Sequence, residues 1–191
     1  MLDLDQKQPG GLRYLRREEF DRMVEAGLFQ DERVELLEGL LVSMSPSGAP
    51  HMEVIDRLNE LLVLALSQRA RVRVQGSYAA ADDSQPEPDV ALVPRHDHSR
   101  EHPRQAYLVV EVADSSLCKD RRVKSAIYAA NGVPEYWIVN LVDDLIEVRT
   151  EPKGEEYARV TPYRRGQSIR LSTFPDVTLE VDAILPTPAK D

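Results

Sequence analysis

Helical and extended periods follow one another along the chain. Leu15, Phe20, Met23 and Val24 fall near one stripe, which predicts a helix over residues 15–26 with Gly27 as its stop. Residues 33–44 read as two strands folded at Glu38-Gly39, where the glycine supplies the positive φ of a tight hairpin turn. Pro46–Pro50 predicts a loop. The strongest helical pattern runs over His51–Ala70, with Val54, Leu58, Leu61, Leu62 and Ala65 at helical spacing. Arg71–Gln75 and Gly76–Ala80 predict short extended segments, and 81–88 a polar, proline-rich loop. Val90–Val93 and Ala106–Val112 predict strands on either side of a charged loop, and Asp114-Ser115-Ser116 breaks the second. Lys119–Ala130 predicts a second amphipathic helix with Val123, Ile127 and Ala130 on its inner face, ended at Asn131-Gly132. Further strands are expected over Glu135–Asn140, Leu145–Thr150, Tyr157–Tyr163, Ser168–Leu171 and Val177–Val181.

This order predicts an α/β (α+β) fold, with a sheet flanked by two main helices. One domain over 14–185 is expected, between a flexible N-terminal tail of residues 1–13 and a C-terminal tail of 186–191. At 191 residues such a domain can bury a real core.

Composition narrows the class. Hydrophobic residues make up 42% and charged residues 30%, as in ordinary globular proteins. The one cysteine, Cys118, excludes a disulfide framework and a cysteine-rich zinc site. The acidic start does not read as a signal peptide, and Leu61–Leu66, the densest apolar run, is far too short to span a membrane. A cytoplasmic protein is expected. The net charge of −9 argues against a generic nucleic-acid coat, because non-specific binding rests on neutralising phosphates. An acidic outer face can still coexist with a basic groove. Basic clusters stand at 69–73, Lys119–Lys124 and Arg164-Arg165; each reads as a solvated face, the middle one alternatively as a DNA contact.

The candidate chemistry lies in Pro88-Asp89, Glu111 and Lys124. Two carboxylates on adjacent buried strands are costly unless a cation or a proton shares the site. Strand alternation puts Asp89 with Ala91 and Val93, and Glu111 with Val109 and Ala113. If the strands pair, Asp89 and Glu111 converge on one cation. Mg²⁺ suits such a site, since it takes one or two carboxylates and completes its shell with water and phosphate. Asp120, Lys124, Tyr128 and Asn131 form a polar stripe on the next helix. Lys124 can then lean towards the strand ends and stabilise a pentacovalent phosphate. Blander readings stand beside this one: Pro-Asp is a common turn pair, and Asp120 with Lys124 can be a plain i,i+4 pair.

The segments Val34-Glu-Leu-Leu-Glu-Gly39, Ser45-Pro46 with His51, Glu87-Pro-Asp-Val-Ala-Leu92, Leu108-Val-Val-Glu-Val112, Asp120-x-x-x-Lys124-x-x-x-Tyr128 and Gly132-Val-Pro-Glu-Tyr-Trp-Ile138 stand in an order that resembles the Uma-two family of restriction endonucleases, within the PD-(D/E)XK nuclease superfamily. The resemblance spans roughly residues 14–185. It implies a restriction-endonuclease-like core with a mixed sheet between helices, and Mg²⁺-dependent (or Mn²⁺-dependent) cleavage of DNA. It matches Asp89 and Glu111 to the two acidic ligands and Glu35 to an early acid that completes the metal site. The superfamily's usual lysine two residues after the second acid is replaced by Ala113, and Lys124 stands in for it from the next helix. Glu38 reads as a turn residue. His51, Asp120 and Tyr128 stand as supporting residues at the edge of the site, with packing or a helix-start hydrogen bond as alternatives for His51 and Tyr128.

The expected function is thus a metal-dependent endonuclease acting through metal-activated water, with Glu35, Asp89 and Glu111 on the metal and Lys124 on the transition state. The alternatives are a non-catalytic interaction protein on the same fold and a nuclease for RNA or structured DNA. A homodimer is expected, because cutting two strands needs two sites.

Overall fold

Strands that are apolar on both faces need cover on both faces, which places them at the centre of a sheet. The computed structural model describes residues 12–66 and 68–187 and follows this rule. Its main sheet has six strands in the order β3 (Arg71–Val74), β4 (Val90–Val93), β5 (Leu108–Ala113), β6 (Glu135–Asn140), β7 (Leu145–Lys153) and β8 (Glu156–Arg164). β4, β5 and β6 are buried at every position, whereas the edge strand β8 is mostly exposed. β5 and β6 run parallel, and the other neighbours are antiparallel. The protein is therefore mixed α/β, as its periodicity predicts. The expected tails lie largely outside the described residues.

One face of the sheet, through Leu108, Val110, Val112, Trp137 and Val139, packs on Val54, Leu58, Leu62 and Leu66 of helix α2 (Ala49–Leu66). The small hairpin β9 (Ser168–Arg170) and β10 (Thr178–Glu180) and the short helix α5 (Val181–Ile184) close this side. The other face, through Val109, Ala113, Tyr136 and Ile138, packs on Ile127, Tyr128 and Ala129 of α4 (Ser125–Ala130) and on Leu37 of β1 (Val34–Leu37). β1 pairs with β2 (Leu40–Ser43) through Glu38 and Gly39, whose φ values of 50° and 77° make the expected tight hairpin turn.

Several elements differ from the pattern-based expectation. The first helix, α1 (Arg17–Glu25), buries only Phe20; Val24 is exposed. α2 begins at Ala49, with Pro50 in its first turn where a missing N–H costs nothing. Its described part ends at Leu66; Ala65 is exposed, and Ile55 and Leu66 are buried instead. Gly76–Ala80 is partly buried but joins no sheet, and α5 is too short to show a period. The helix expected over Lys119–Ala130 starts earlier, as α3 (Leu117–Lys119), passes through a π-helical turn at Asp120–Lys124, and continues as α4. Ala130, expected on its inner face, is exposed, and Val123 is only half-buried.

Candidate active site

The site is built on the second face of the sheet. β4 and β5 pair with Val90 opposite Val110, a register that sets Asp89 across from Glu111 at the strand ends. Both acids lie on the face of Ala91 and Val109, as the alternation predicts. The Asp89 carboxylate accepts the Val112 backbone N–H at 2.8 Å through Oδ2, and its Oδ1 lies 3.0 Å from His51 Nε2 at the start of α2. Glu111 Oε1 accepts the Tyr128 hydroxyl at 2.7 Å and the Lys124 ammonium at 2.9 Å.

The π-turn explains how Lys124 reaches this point. Its hydrogen bonds run i→i+5, so residues five apart come closer to one helix face than an α-helix allows. Lys119 and Lys124 both meet Glu35 of β1: Lys119 Nζ is 2.8 Å from Oε1 and Lys124 Nζ is 3.1 Å from Oε2. The Glu87 backbone N–H also donates to Glu35 Oε2, at 3.3 Å. Asp120 opens the π-turn, is buried, and accepts the Ser116 hydroxyl. Asp120 and Lys124 are therefore inward-facing, and the reading of a plain surface i,i+4 pair does not hold. Ala113, where the superfamily's lysine would stand, is fully buried on the same face. Two participants escape the sequence reading: Lys119, whose approach depends on the π-turn, and Ser116, whose bond to Asp120 depends on the turn before the helix.

Four carboxylates (Glu35, Asp89, Glu111, Asp120) thus share one region with two ammonium groups (Lys119, Lys124). Burial pushes the Glu111 carboxyl well above the usual range; Lys124 opposes this, while Asp120, Asp89 and Glu35 add to it. Burial also raises Asp120, against the pull of Lys124 and the Ser116 hydroxyl. Burial alone would raise Glu35 too, but Lys124 and Lys119 outweigh it and hold this carboxyl below its ordinary value. Lys124 is driven upward: burial disfavours its charge, and Glu111, Glu35 and Asp120 more than restore it. The buried Tyr128 hydroxyl is raised by burial and by Glu111, so it stays a donor.

Asp89, Glu111, Lys124, Asp120 and His51 line an open cleft of ≈ 410 Å³, walled on one side by the Ser45–Gly48 loop. Among the described residues no three His, Cys, Asp or Glu side chains gather closely enough to hold a metal ion by themselves. A hard divalent cation asks less than that, because Mg²⁺ is commonly held by one or two carboxylates with water and substrate oxygens. The opposed pair Asp89 and Glu111, in a region with excess negative charge and open to solvent, fits that donor chemistry. In the other basic clusters, Arg69 pairs with Asp176 and Arg165 with Asp144.

The profile of the Uma2 (Uma-two) family, described as "Putative restriction endonuclease", matches residues 17–182 of this sequence. The chain belongs to the Uma2 family. The fold of this Uma2 protein is also similar to the crystal structure of a protein from Anabaena variabilis ATCC 29413 described as a "putative nuclease belonging to DUF820". The TM-score is 0.70 at 11% sequence identity, covering 89% of this chain and 97% of the other. At that identity the likeness shows the fold alone, the restriction-endonuclease-like arrangement of a mixed sheet between helices. No curated protein matches the sequence. Among the described residues no helix is long and apolar enough to cross a membrane.

Proposed function

We propose that this Uma2 protein is a Mg²⁺-dependent or Mn²⁺-dependent endonuclease that hydrolyses DNA phosphodiester bonds. One observation carries the reading: Glu111 lies across an antiparallel pair from Asp89 and receives the buried Lys124 ammonium at 2.9 Å, beside an open cleft. A divalent cation bound there supplies a Lewis acid for the phosphate and lowers the pKa of a bound water.

Asp89 and Glu111 are the pair that would hold the cation. Val112 N–H and His51 fix the orientation of Asp89, and Tyr128 does the same for Glu111. Both oxygens of Glu35 receive lysine ammonium groups. Its role in this reading is to hold Lys124 in place; direct ligation by Glu35 would require a lysine to withdraw. Lys124 is placed to offset the charge that builds on the phosphate oxygens as water attacks phosphorus and one P–O bond breaks. Asp120, tied to Ser116, adds to the negative field that keeps Lys124 charged. Cutting both strands of a duplex calls for two such sites, and we propose that two copies of the chain pair to supply them.

Nicking of supercoiled plasmid with Mg²⁺ or Mn²⁺ tests the reading. Activity in the wild type, lost in both Asp89→Ala and Lys124→Ala, is the expected result. Equal cleavage by both variants contradicts it.

A further inference from the structure

Three cationic side chains line the cleft: Arg33, Lys119 and Lys124. They differ in depth and in partners. The Lys124 side chain is 3% exposed and sits between Glu35 and Glu111. The Lys119 side chain is 28% exposed, so its ammonium lies nearer the mouth. Arg33 pairs with Glu87 one to one, whereas Lys119 shares Glu35 with Lys124.

That sharing decides what Lys119 can do. Its Nζ is 2.8 Å from Glu35 Oε1, and Lys124 Nζ is 3.1 Å from Oε2 of the same carboxylate. Two ammonium groups thus stand side by side on one negative charge. The Glu35 side chain is wholly buried, and a buried carboxylate left without a cation is costly. Withdrawal of Lys124 would take a partner from both Glu35 and Glu111. Among the described residues Lys119 forms an ion pair with Glu35 alone, and when it turns away Glu35 keeps Lys124 and the Glu87 backbone N–H. Lys119 already meets solvent, and its flexible four-carbon stem lets the ammonium swing. Of the two lysines it is the one that can exchange Glu35 for a ligand without stranding a buried acid.

The cleft sets the chemistry of that ligand. Its wall also carries Asp89, Glu111, Asp114 and Asp120, so an anion that enters needs cations facing it along its path. In the proposed function a dication answers Asp89 and Glu111, and Lys124 addresses the scissile phosphate. A nucleic-acid strand brings a second phosphate beside the first. Lys119, next to Lys124 and nearer the mouth, is placed to meet it. A lysine ammonium suits this role, as a point charge with three donors.

We propose that Lys119 is a substrate-binding residue that leaves Glu35 and grips the phosphate adjoining the scissile one. The proposal rests on the nuclease reading above. Such a contact is made alike in the ground state and the transition state, so its loss acts on KM more than on kcat.

The test compares wild type with Lys119→Met, Lys119→Arg and Arg122→Gln; Arg122 is exposed on the same turn and lies outside the cleft. Binding of a short DNA duplex is followed by fluorescence anisotropy in Ca²⁺ as NaCl is raised, with a gel to show that the duplex stays whole. Plasmid nicking with Mg²⁺ or Mn²⁺ gives kcat and KM. In Lys119→Met the slope of log Kobs against log[NaCl] should be shallower by about 0.9, the loss of one phosphate contact. Its KM should rise about tenfold while kcat changes by less than about twofold. Lys119→Arg should keep the wild-type slope, and Arg122→Gln should match wild type throughout. Urea melts show that each variant folds, and Lys119→Gln replaces the Met variant if that one does not. An unchanged slope and KM in the folded, uncharged variant overturn the proposal. A fall in kcat with KM unchanged overturns it too, and makes Lys119 only a prop for Glu35. So does an equal loss of slope in Arg122→Gln, which marks a diffuse field, or a wild type that binds no duplex. The expected loss of slope in a protein that never nicks DNA upholds the grip while the nuclease reading fails. Nicking with slope and KM unmoved by the substitution does the reverse.

Discussion

Lys124 Nζ lies 2.9 Å from Glu111 Oε1, and both side chains are almost wholly buried. A buried ion pair is held at a large desolvation cost, and breaking it from one side leaves an uncompensated charge. Lys124→Met would leave Glu111 and Glu35 without their shared cation. Urea unfolding should show a loss of about 3–5 kcal/mol. Retention of wild-type stability would mean that Glu111 is protonated in the folded protein and needs no partner.

Glu35 gives a pH signature. Its carboxyl is held below the ordinary value of 4.5 in the folded chain, because Lys124 and Lys119 outweigh the effect of burial. The unfolded chain takes up this proton more readily, so the stabilisation is fully present above 4.5 and is lost as pH falls through the lower folded value. Glu35→Gln should cost about 1.5–3 kcal/mol at pH 7, as for a hydrogen bond to a charged group. The gap between variant and wild type should close as unfolding is repeated below pH 4.5. A gap that stays constant to low pH would contradict the ion-pair account.

Tyr128→Phe removes only the hydroxyl that donates to Glu111 at 2.7 Å; the ring stays between Tyr78 and Tyr136. The expected result is a folded protein, destabilised by about 1.5–3 kcal/mol for the lost hydrogen bond to a carboxylate. Nicking should slow without vanishing, because Lys124 still holds Glu111. Plasmid nicking and urea melts on the same preparation check both.

Gly39 is a conformational requirement of the hairpin that carries Glu35. Its φ is 77°, and a Cβ there would come within 2.5 Å of Tyr14 Cβ and 3.2 Å of the Leu15 carbonyl. Gly39→Ala should therefore destabilise the fold by about 1–2 kcal/mol from the backbone conformation alone, with the clash added. Thermal melts read this directly.

Much of the frame is legible in the residue pattern, and the exceptions have physical causes. β4, β5 and β6 show as continuous apolar runs because both of their faces are covered. Asp89 and Glu111 stand out because acids are rare in such runs. The π-turn leaves no mark in a 3.6-residue period, so Lys119 is missed and Ala130 is given an inner position that it does not hold. The sequence shows Asp120 and Lys124 as a polar stripe apart from the apolar one, but not their depth: Asp120 is buried against Ser116, and Lys124 against Glu35 of β1 and Glu111 of β5. Those partners are 89 and 13 residues away from Lys124, distances over which no local pattern carries information.

In the proposed function, Asp89 and Glu111 hold a divalent cation that supports phosphodiester cleavage. Calorimetric titration of wild type and Asp89→Ala with Mn²⁺, followed by plasmid nicking with the same ion, tests it most directly. Binding and nicking in the wild type, with loss of both in the variant, are the expected results. A wild type that neither binds the ion nor nicks the plasmid, or a variant that does both as well as the wild type, would contradict it.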